Sequence, residues 1–477
     1  MEADSTNLRP WERAGHHACA RRIAQLEAEN TALCARLDKI EQLLADRDRG
    51  AKRQAAPFSK GSPCAAPKTP GRKPGEDYGT KAFRAVPAPE QIDESYEAPL
   101  PQRCPRCGAG TLIATAQHDQ YQAELPQRPI FRRFRVAVGQ CTCCGKKVRG
   151  RHPLQTSDAV GCCASQLGPA AQALAVILNK KMGLSYGKAA QLLSQCFQLP
   201  VTAGGVCQAL LRVAQRTQAQ RDEIVQQLPA SPWLVPDETG WRVGGGMAWL
   251  HTAVAINATA YLVHPRRGYE AARKLIPANY TGTLVHDGWA PYDRFTQAGH
   301  QTCLAHLLRR CAELLEMCQG NKGAAGVVPQ KIKALLQEAL IVRDRRDAGA
   351  ITAQAAVTAG VKLQQQMSRL TGTTKSHAGN ERLCKHIWKH QDQLFTFLAQ
   401  PGIDATNYRA EQALRPAVVN RKVWGGNRTE HGAWAQGVLL TVLETLSRRG
   451  ADVAQWLSQV LREWPRPLPL PVMVASG

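Results

Sequence analysis

Residues 231–290 restrict the possible folds more than any other stretch of this chain. An apolar lead runs into PWLVPDETGW, which reads as a strand carrying Asp237. MAWLHTAVAI and ATAYLVHP have the length and β-branched or aromatic content of two further strands. Residues 269–276 suggest a helix, and GTLVHDGWAPY reads as another strand that ends at Asp287. Successive strand residues point to opposite faces, so Glu238 is not expected to share a site with its neighbour Asp237.

Three strands, a helix and a fourth strand, with acids on the first and fourth, is the order of an RNase H-like sheet. In that order the first and fourth strands are neighbours, which brings Asp237 and Asp287 together, and a third acid is expected from a later helix. The chemistry open to such a group is in-line attack on a phosphodiester. Two divalent ions about 3.5–4 Å apart can activate the attacking oxygen and stabilise the leaving one. Hard oxygen ligands suit Mg²⁺ or Mn²⁺. Taken singly, an Asp after an apolar run more often caps a turn or pairs with a base.

The charge balance agrees with a polyanionic partner. Lys and Arg total 61 against 38 Asp and Glu, a net charge of +23, and nucleic acid ranks ahead of membrane as the cause. No run of 18 or more apolar residues is present, and the N-terminus lacks a signal-peptide pattern, so a cytoplasmic, nucleoid-associated protein is expected.

The 477 residues allow roughly three domains, at about 150 residues each. The expected class is multidomain α+β. Residues 18–46 carry a heptad, with Ile23, Asn30, Leu37 and Leu44 on one seam position and Cys19, Leu26, Leu33 and Ile40 on the other. An inward Asn suits a two-stranded coiled coil, and hence a homo-oligomer, although a helix packed on its own chain gives the same pattern. Residues 47–102 read as a basic linker rich in Pro and Gly.

Residues 103–152 contain two C-x-x-C pairs, Cys104 with Cys107 and Cys141 with Cys144, each followed by Gly. Together they fit a structural four-cysteine Zn²⁺ site, a zinc knuckle, with Cys143 as an alternative to Cys141. One pair alone would equally suit redox chemistry. Residues 160–230 read as a helical, helix-turn-helix-like DNA-binding region, a pattern that any two packed helices also give. The catalytic domain is assigned to 231–446 with a helical insertion at about 310–400, and 447–477 to a C-terminal helix and Pro-rich tail.

VPDETGWRV, LVHDGWAPY, CLAHLLRR and TNYRAEQALRP, followed by NRKVWGGN and the segment from GAWAQGVLL to WLSQVL, occur in this order. Together with the double C-x-x-C, they resemble the insertion-sequence-66 family of bacterial transposases over nearly the whole chain. The resemblance implies a DDE transposase with an RNase H-like catalytic fold, whose metal-binding acids are Asp237, Asp287 and Glu411. Asp404 is the nearest rival for the third. Asn407 matches the first Asn of the family's usual Asn-Asn pair, with Tyr408 in place of the second. Cys303-x-x-His306 matches its C-x-A-H block, with Leu304 in place of the usual aromatic. Local support of the acids is the role expected of His306.

Arg421, Lys422 and Trp424 resemble the family's basic-aromatic turn. They are expected to contact DNA phosphate and an unpaired base, against the plainer reading of a surface turn with a buried Trp. The implied activity is binding of terminal inverted repeats, metal-dependent strand cleavage and strand transfer into target DNA, with companion proteins from the same element. The alternatives are an inactive DNA-binding regulator and a nuclease that cuts without joining.

Overall fold

The computed structural model describes residues 129–150, 166–318 and 324–472, together with a few residues at 25–31, 88–95 and 152–155. The chain divides into two compact units, Met1–Ala123 and Glu124–Gly477. In the first, residues 25, 26 and 28–31 are helical and exposed, Leu26 among them. The rest of the expected coiled coil, the first C-x-x-C and all of the basic linker but 88–92 and 95, where Pro89–Gln91 form a single 3-10 turn, lie outside the described residues.

The second unit is built on a five-stranded mixed sheet. Its strands are β3 (Trp233–Val243), β4 (Gly246–Val254), β5 (Thr259–His264), β6 (Thr283–His286) and β7 (Gly299–Thr302), in the order β5-β4-β3-β6-β7. The first three form an antiparallel meander, while β3–β6 and β6–β7 are parallel. The first and fourth strands of this sheet are therefore neighbours, as expected. The expected helix at 269–276 is a single turn, α5 (Tyr269–Ala272). Strand β7 was not expected: GHQT is four residues long and has no large apolar side chain, so no apolar alternation marks it. A separate hairpin, β1 (Val138–Gln140) and β2 (Lys147–Arg149), carries the second C-x-x-C in its turn.

Helices cover both faces of the sheet, and the strands show the two-residue alternation this requires. On one face Leu234, Ala253, Ala260 and Leu284 join a core with α1 (Pro169–Lys180), α2 (Tyr186–Phe197), α3 (Ala203–Arg216) and α4 (Gln218–Gln227). The helices α12 (Glu430–Arg448) and α13 (Val453–Glu463) complete that layer, so helices before and after the sheet share one core. Ser185 and Thr202 cap α2 and α3 through Lys188 N and Gly205 N, which fixes where the two helices begin. Thr441 and Thr445 of α12 accept hydrogen bonds from Tyr261 N and Thr259 N, closing off the edge strand β5.

On the other face Trp233, Val235, Val254 and Val285 pack against the inserted helices. These are α6 (Leu304–Cys318), α7 (Val327–Asp347), α8 (Ala353–Thr371), α9 (Ala378–Lys389) and α10 (Thr396–Ala399). The segment between Asp287 and Glu411 is thus mostly helical, as its length of 124 residues (411 − 287) requires. The last helix of this layer is α11 (Tyr408–Trp424), whose Ala410 joins the same core. The Pro-rich tail is irregular but docked: Leu470 is buried, and the carbonyls of Leu468, Pro469 and Pro471 accept bonds from Gln220, Trp456 and Arg449. Among the described residues no helix is long and apolar enough to cross a membrane.

Candidate active site

Strand alternation decides which acids can meet. On β3, Trp233 and Val235 face the inserted helices, and Asp237 follows two residues later on that face. On β6, Val285 faces the same way, and Asp287 follows it by two. The parallel register pairs Trp233 with Thr283 and Leu234 with Leu284. The ladder ends there; Asp237 lies three residues further along β3 and Asp287 just past the end of β6, both on the face of Val235 and Val285, and the charge of Asp287 reaches Asp237. Glu238 faces the opposite side, as the sequence implied.

The turn after β6 is fixed by its own residues. Asp287 Oδ1 accepts from Trp289 N at 2.9 Å, and His286 Nδ1 accepts from Gly288 N at 3.1 Å. Gly288 has φ +85°, and a Cβ there would stand 3.1 Å from the His386 ring, so glycine meets both the backbone and the packing requirement. Behind the turn, His286 Nε2 lies 3.0 Å from His300 Nδ1. Burial holds the His286 imidazole well below its ordinary pKa, and the neighbouring His300 and His390 add to this.

Glu411 stands in the first turn of α11, half exposed, with its Oε1 3.9 Å from His306 Nε2 on α6. The loop before α11 is tied to the start of α6 by Leu304 N donating to Ala405 O. Cys303 is buried in this junction, where its sulfur receives the backbone N–H groups of Asn407, His306 and Ala305. The C-x-x-H block therefore braces the helix that carries Glu411. The rival acid Asp404 is paired with Arg409. Asn407 is buried, and among the described residues neither of its side-chain polar atoms has a hydrogen-bond partner, nor does His306 Nδ1.

The three acids act on one another electrostatically. Asp237 is pushed up to about 8, first by burial, then by the charge of Glu238, with Asp287 and Glu411 adding to it. Both Asp287 and Glu411 also act on His306, whose pKa burial nonetheless holds below its usual value. Among the described residues no group of three or more His, Cys, Asp or Glu side chains stands close enough together to hold a metal ion as it is. What joins the three acids is electrostatic, through the effect of Asp287 and Glu411 on Asp237.

Sequence reasoning did not reveal a brace on the other side of β3. Glu238 is almost fully buried, and its Oε1 is 2.7 Å from Arg267 Nη2, while Tyr292 O–H donates to Oε2 at 2.8 Å. Arg267 lies between Trp249 and Trp289, 4.8 and 4.4 Å from their ring centres. This brace ties β3 to the segment that follows Asp287. Its one sequence signal was the unexplained Glu next to Asp237. A second hidden feature is Lys180, buried on α1, with Nζ 2.5 Å from Gln436 Oε1 and 5.4 Å from the Trp424 ring centre.

The basic-aromatic segment makes contacts within the chain that the sequence did not indicate. Arg421 donates through Nη1 to the carbonyl of Gly240 and to Thr239 Oγ1, so it fastens α11 to β3. Trp424 meets Trp241 edge-to-face at 5.8 Å and lies under Lys180, which makes it a packing residue. Of the three, Lys422 is exposed.

At the second C-x-x-C, Cys141 N donates to Lys146 O and Gly145 N to Cys141 O, with Gly145 at φ +68°. The amides of Cys144 and Cys143 and the Cys144 thiol point at the Cys141 sulfur and lower its pKa. Cys104 and Cys107 lie outside the described residues.

An uncharacterised protein of Sinorhizobium fredii, y4qI, is 21% identical over 222 residues, which cover 43% of this chain and 41% of that protein. The chain thus spans less than half the length of that relative. Residues 164–435, more than half of the chain and inclusive of all three acids, match the family described as Transposase IS66 family, and the chain belongs to that family.

Proposed function

We propose that this chain is a DDE transposase that cuts the ends of its own element and joins them to new DNA. The observation that carries this reading is that Asp237 on β3 and Asp287, just past the end of the neighbouring parallel strand β6, follow the same face, while the charges of Asp287 and Glu411 both raise the proton affinity of Asp237. The strand order β5-β4-β3-β6-β7 supports an RNase H-like catalytic fold.

The donor set suits hydrated Mg²⁺ or Mn²⁺. It consists of hard carboxylate oxygens, and such ions bind through one or two carboxylates while keeping several waters. Unpartnered buried groups at Asn407 and His306 are costly alone and fit a site completed by bound species. Asp237, Asp287 and Glu411 would hold the metal, which when bound supplies activation of the attacking oxygen and stabilisation of the leaving one. The chain itself supplies position. The parallel pairing of β3 with β6 sends both carboxylates out of the sheet on one face, Gly288 permits the turn, and Arg421 with the Cys303–His306 junction holds α11 in place. Water would be the first nucleophile, giving a free 3′-hydroxyl. That hydroxyl would then attack a target phosphodiester, expelling the target's own 3′ oxygen, so bonds formed and broken balance without a covalent protein intermediate.

The remaining parts follow the same reading. Cys141 and Cys144, with Cys104 and Cys107, would bind structural Zn²⁺, and the turn that aims amides at Cys141 favours it over Cys143. The heptad would pair subunits, and the helix-turn-helix would contact the terminal repeats. An excision-and-insertion assay in cells tests the function, using the flanking repeats as donor ends. Wild type is expected to move the element, while Asp287→Asn binds the ends without movement. Equal movement by both would remove Asp287 from the chemistry, and cutting without joined products would leave a nuclease.

A further inference from the structure

Between the end of β5 and α5 the surface opens into a cavity of about 500 Å³, lined by His264, Pro265, Arg266, Glu270, Arg273 and Lys274. Arg266, Arg273 and Lys274 are exposed. Only Glu270 opposes them, and it is paired with Arg273 at 2.7 Å. Two cations therefore remain without a carboxylate among the residues lining the cleft, a surplus that favours an anion. The wall is stiff: Arg266 N donates to His264 Nδ1, and Arg266 O lies 3.1 Å from His251 Nε2.

The cleft leads to the acids through one residue. Arg267 follows Arg266 in the chain, and its guanidinium lies against Trp289, two residues past Asp287, while pairing with Glu238, next to Asp237. Beyond α5, exposed Arg294 lies over the Tyr269 ring at 4.1 Å and adds another positive charge on the same side. A merely solvated basic face would have no need of a concave wall or of a braced connection to the acidic group.

We propose that this cleft binds DNA phosphates, with Arg266 and Lys274 as the contacts, and directs a strand along Arg267 towards Asp237 and Asp287. The inference rests on the reading of the protein as one that acts on DNA. Neutralising a phosphate contact removes roughly 0.9 from the slope of log K against log salt. The test is binding of the full chain to two duplexes, one carrying the element's end and one unrelated, across a salt series.

The variant Arg266→Gln with Lys274→Gln is expected to lower the slope by about 1.8 on at least one duplex. A matched control, Lys331→Gln with Arg345→Gln on exposed positions of α7, is expected to leave it unchanged. A drop on the end duplex alone assigns the cleft to the element's end, on the unrelated duplex alone to target DNA, and on both to sequence-independent phosphate contact. A slope equal to wild type, or a drop matched by the control, overturns the proposal. Metal-dependent cutting by wild type is scored separately, so loss of the cleft leaves the transposase reading standing, and loss of cutting leaves the cleft standing.

Discussion

Lys180 offers a quantitative test of the packing between α1, α11 and α12. Its amine is buried, its hydrogen-bond acceptor is the neutral Gln436, and the Trp424 ring lies beside it. Burial lowers its pKa from 10.5 to about 7, and the Cys207 charge opposes this only in part. Below pH 7 both folded and unfolded chains carry the proton, so the fold bears the whole desolvation cost. Between about 7 and 10.5 the unfolded chain binds a proton that the folded chain has released, so stability rises with pH.

The rise is about 1.4 kcal/mol per pH unit, or roughly 4–5 kcal/mol over the whole window. Other groups oppose it. Burial pushes the Cys311 thiol up to about 12, which removes stability as pH rises through its ordinary value. The difference between wild type and Lys180→Met isolates the lysine, since Met keeps most of the apolar stem. Urea unfolding at pH 6.5 to 10.5 measures it. Wild type should gain on Lys180→Met by about 1.4 kcal/mol per pH unit between about 8 and 10, then level off. Parallel stability curves would refute a buried amine of lowered proton affinity at this junction.

Asp237→Asn should stabilise the metal-free protein at pH 8 by on the order of 2 kcal/mol, because it removes a buried carboxylate opposed by like charges; thermal unfolding in a chelator measures this, and a lower Tm would count against it. Gly288→Ala should cost about 1–3 kcal/mol and reduce DNA cutting, since φ +85° and the His386 ring both resist a side chain; an unchanged Tm would contradict that. Glu238→Gln should weaken the Arg267 and Tyr292 brace and lower cutting at all metal concentrations without abolishing metal binding, which separates positioning from ligation in a metal titration. Cys141→Ser should release bound Zn²⁺ while Cys143→Ser retains it, as read by elemental analysis of the purified protein.

The sheet was legible because its inner strands are long or strongly apolar. WLVP is a continuous apolar run leading into the acid, so the strand was evident and counting by two separated Asp237 from Glu238. Strand β7 was not legible, since GHQT is held by parallel pairing to β6 rather than by any pattern of its own. Asp287 was readable from its place at a strand end, whereas Glu411 required the resemblance, because nothing local separates it from other helical acids.

Long-range partners stayed hidden for a different reason. Lys180 and Gln436 are 256 positions apart, and Arg421 meets a β3 carbonyl 181 positions away, contacts that no local spacing encodes. Trp424 shows the same thing: its contacts with Trp241 and Lys180 join residues that no local spacing links.

The account rests on the three acids sharing one divalent metal site. Fe²⁺ in place of Mg²⁺, with ascorbate and peroxide, generates hydroxyl radicals that cut the polypeptide where the metal sits. The expected products are cuts near residues 237, 287 and 411 together, suppressed by excess Mg²⁺ and lost in Asp287→Asn. Cuts confined to other segments, or a pattern unchanged in Asp287→Asn, would contradict a shared metal site at these carboxylates.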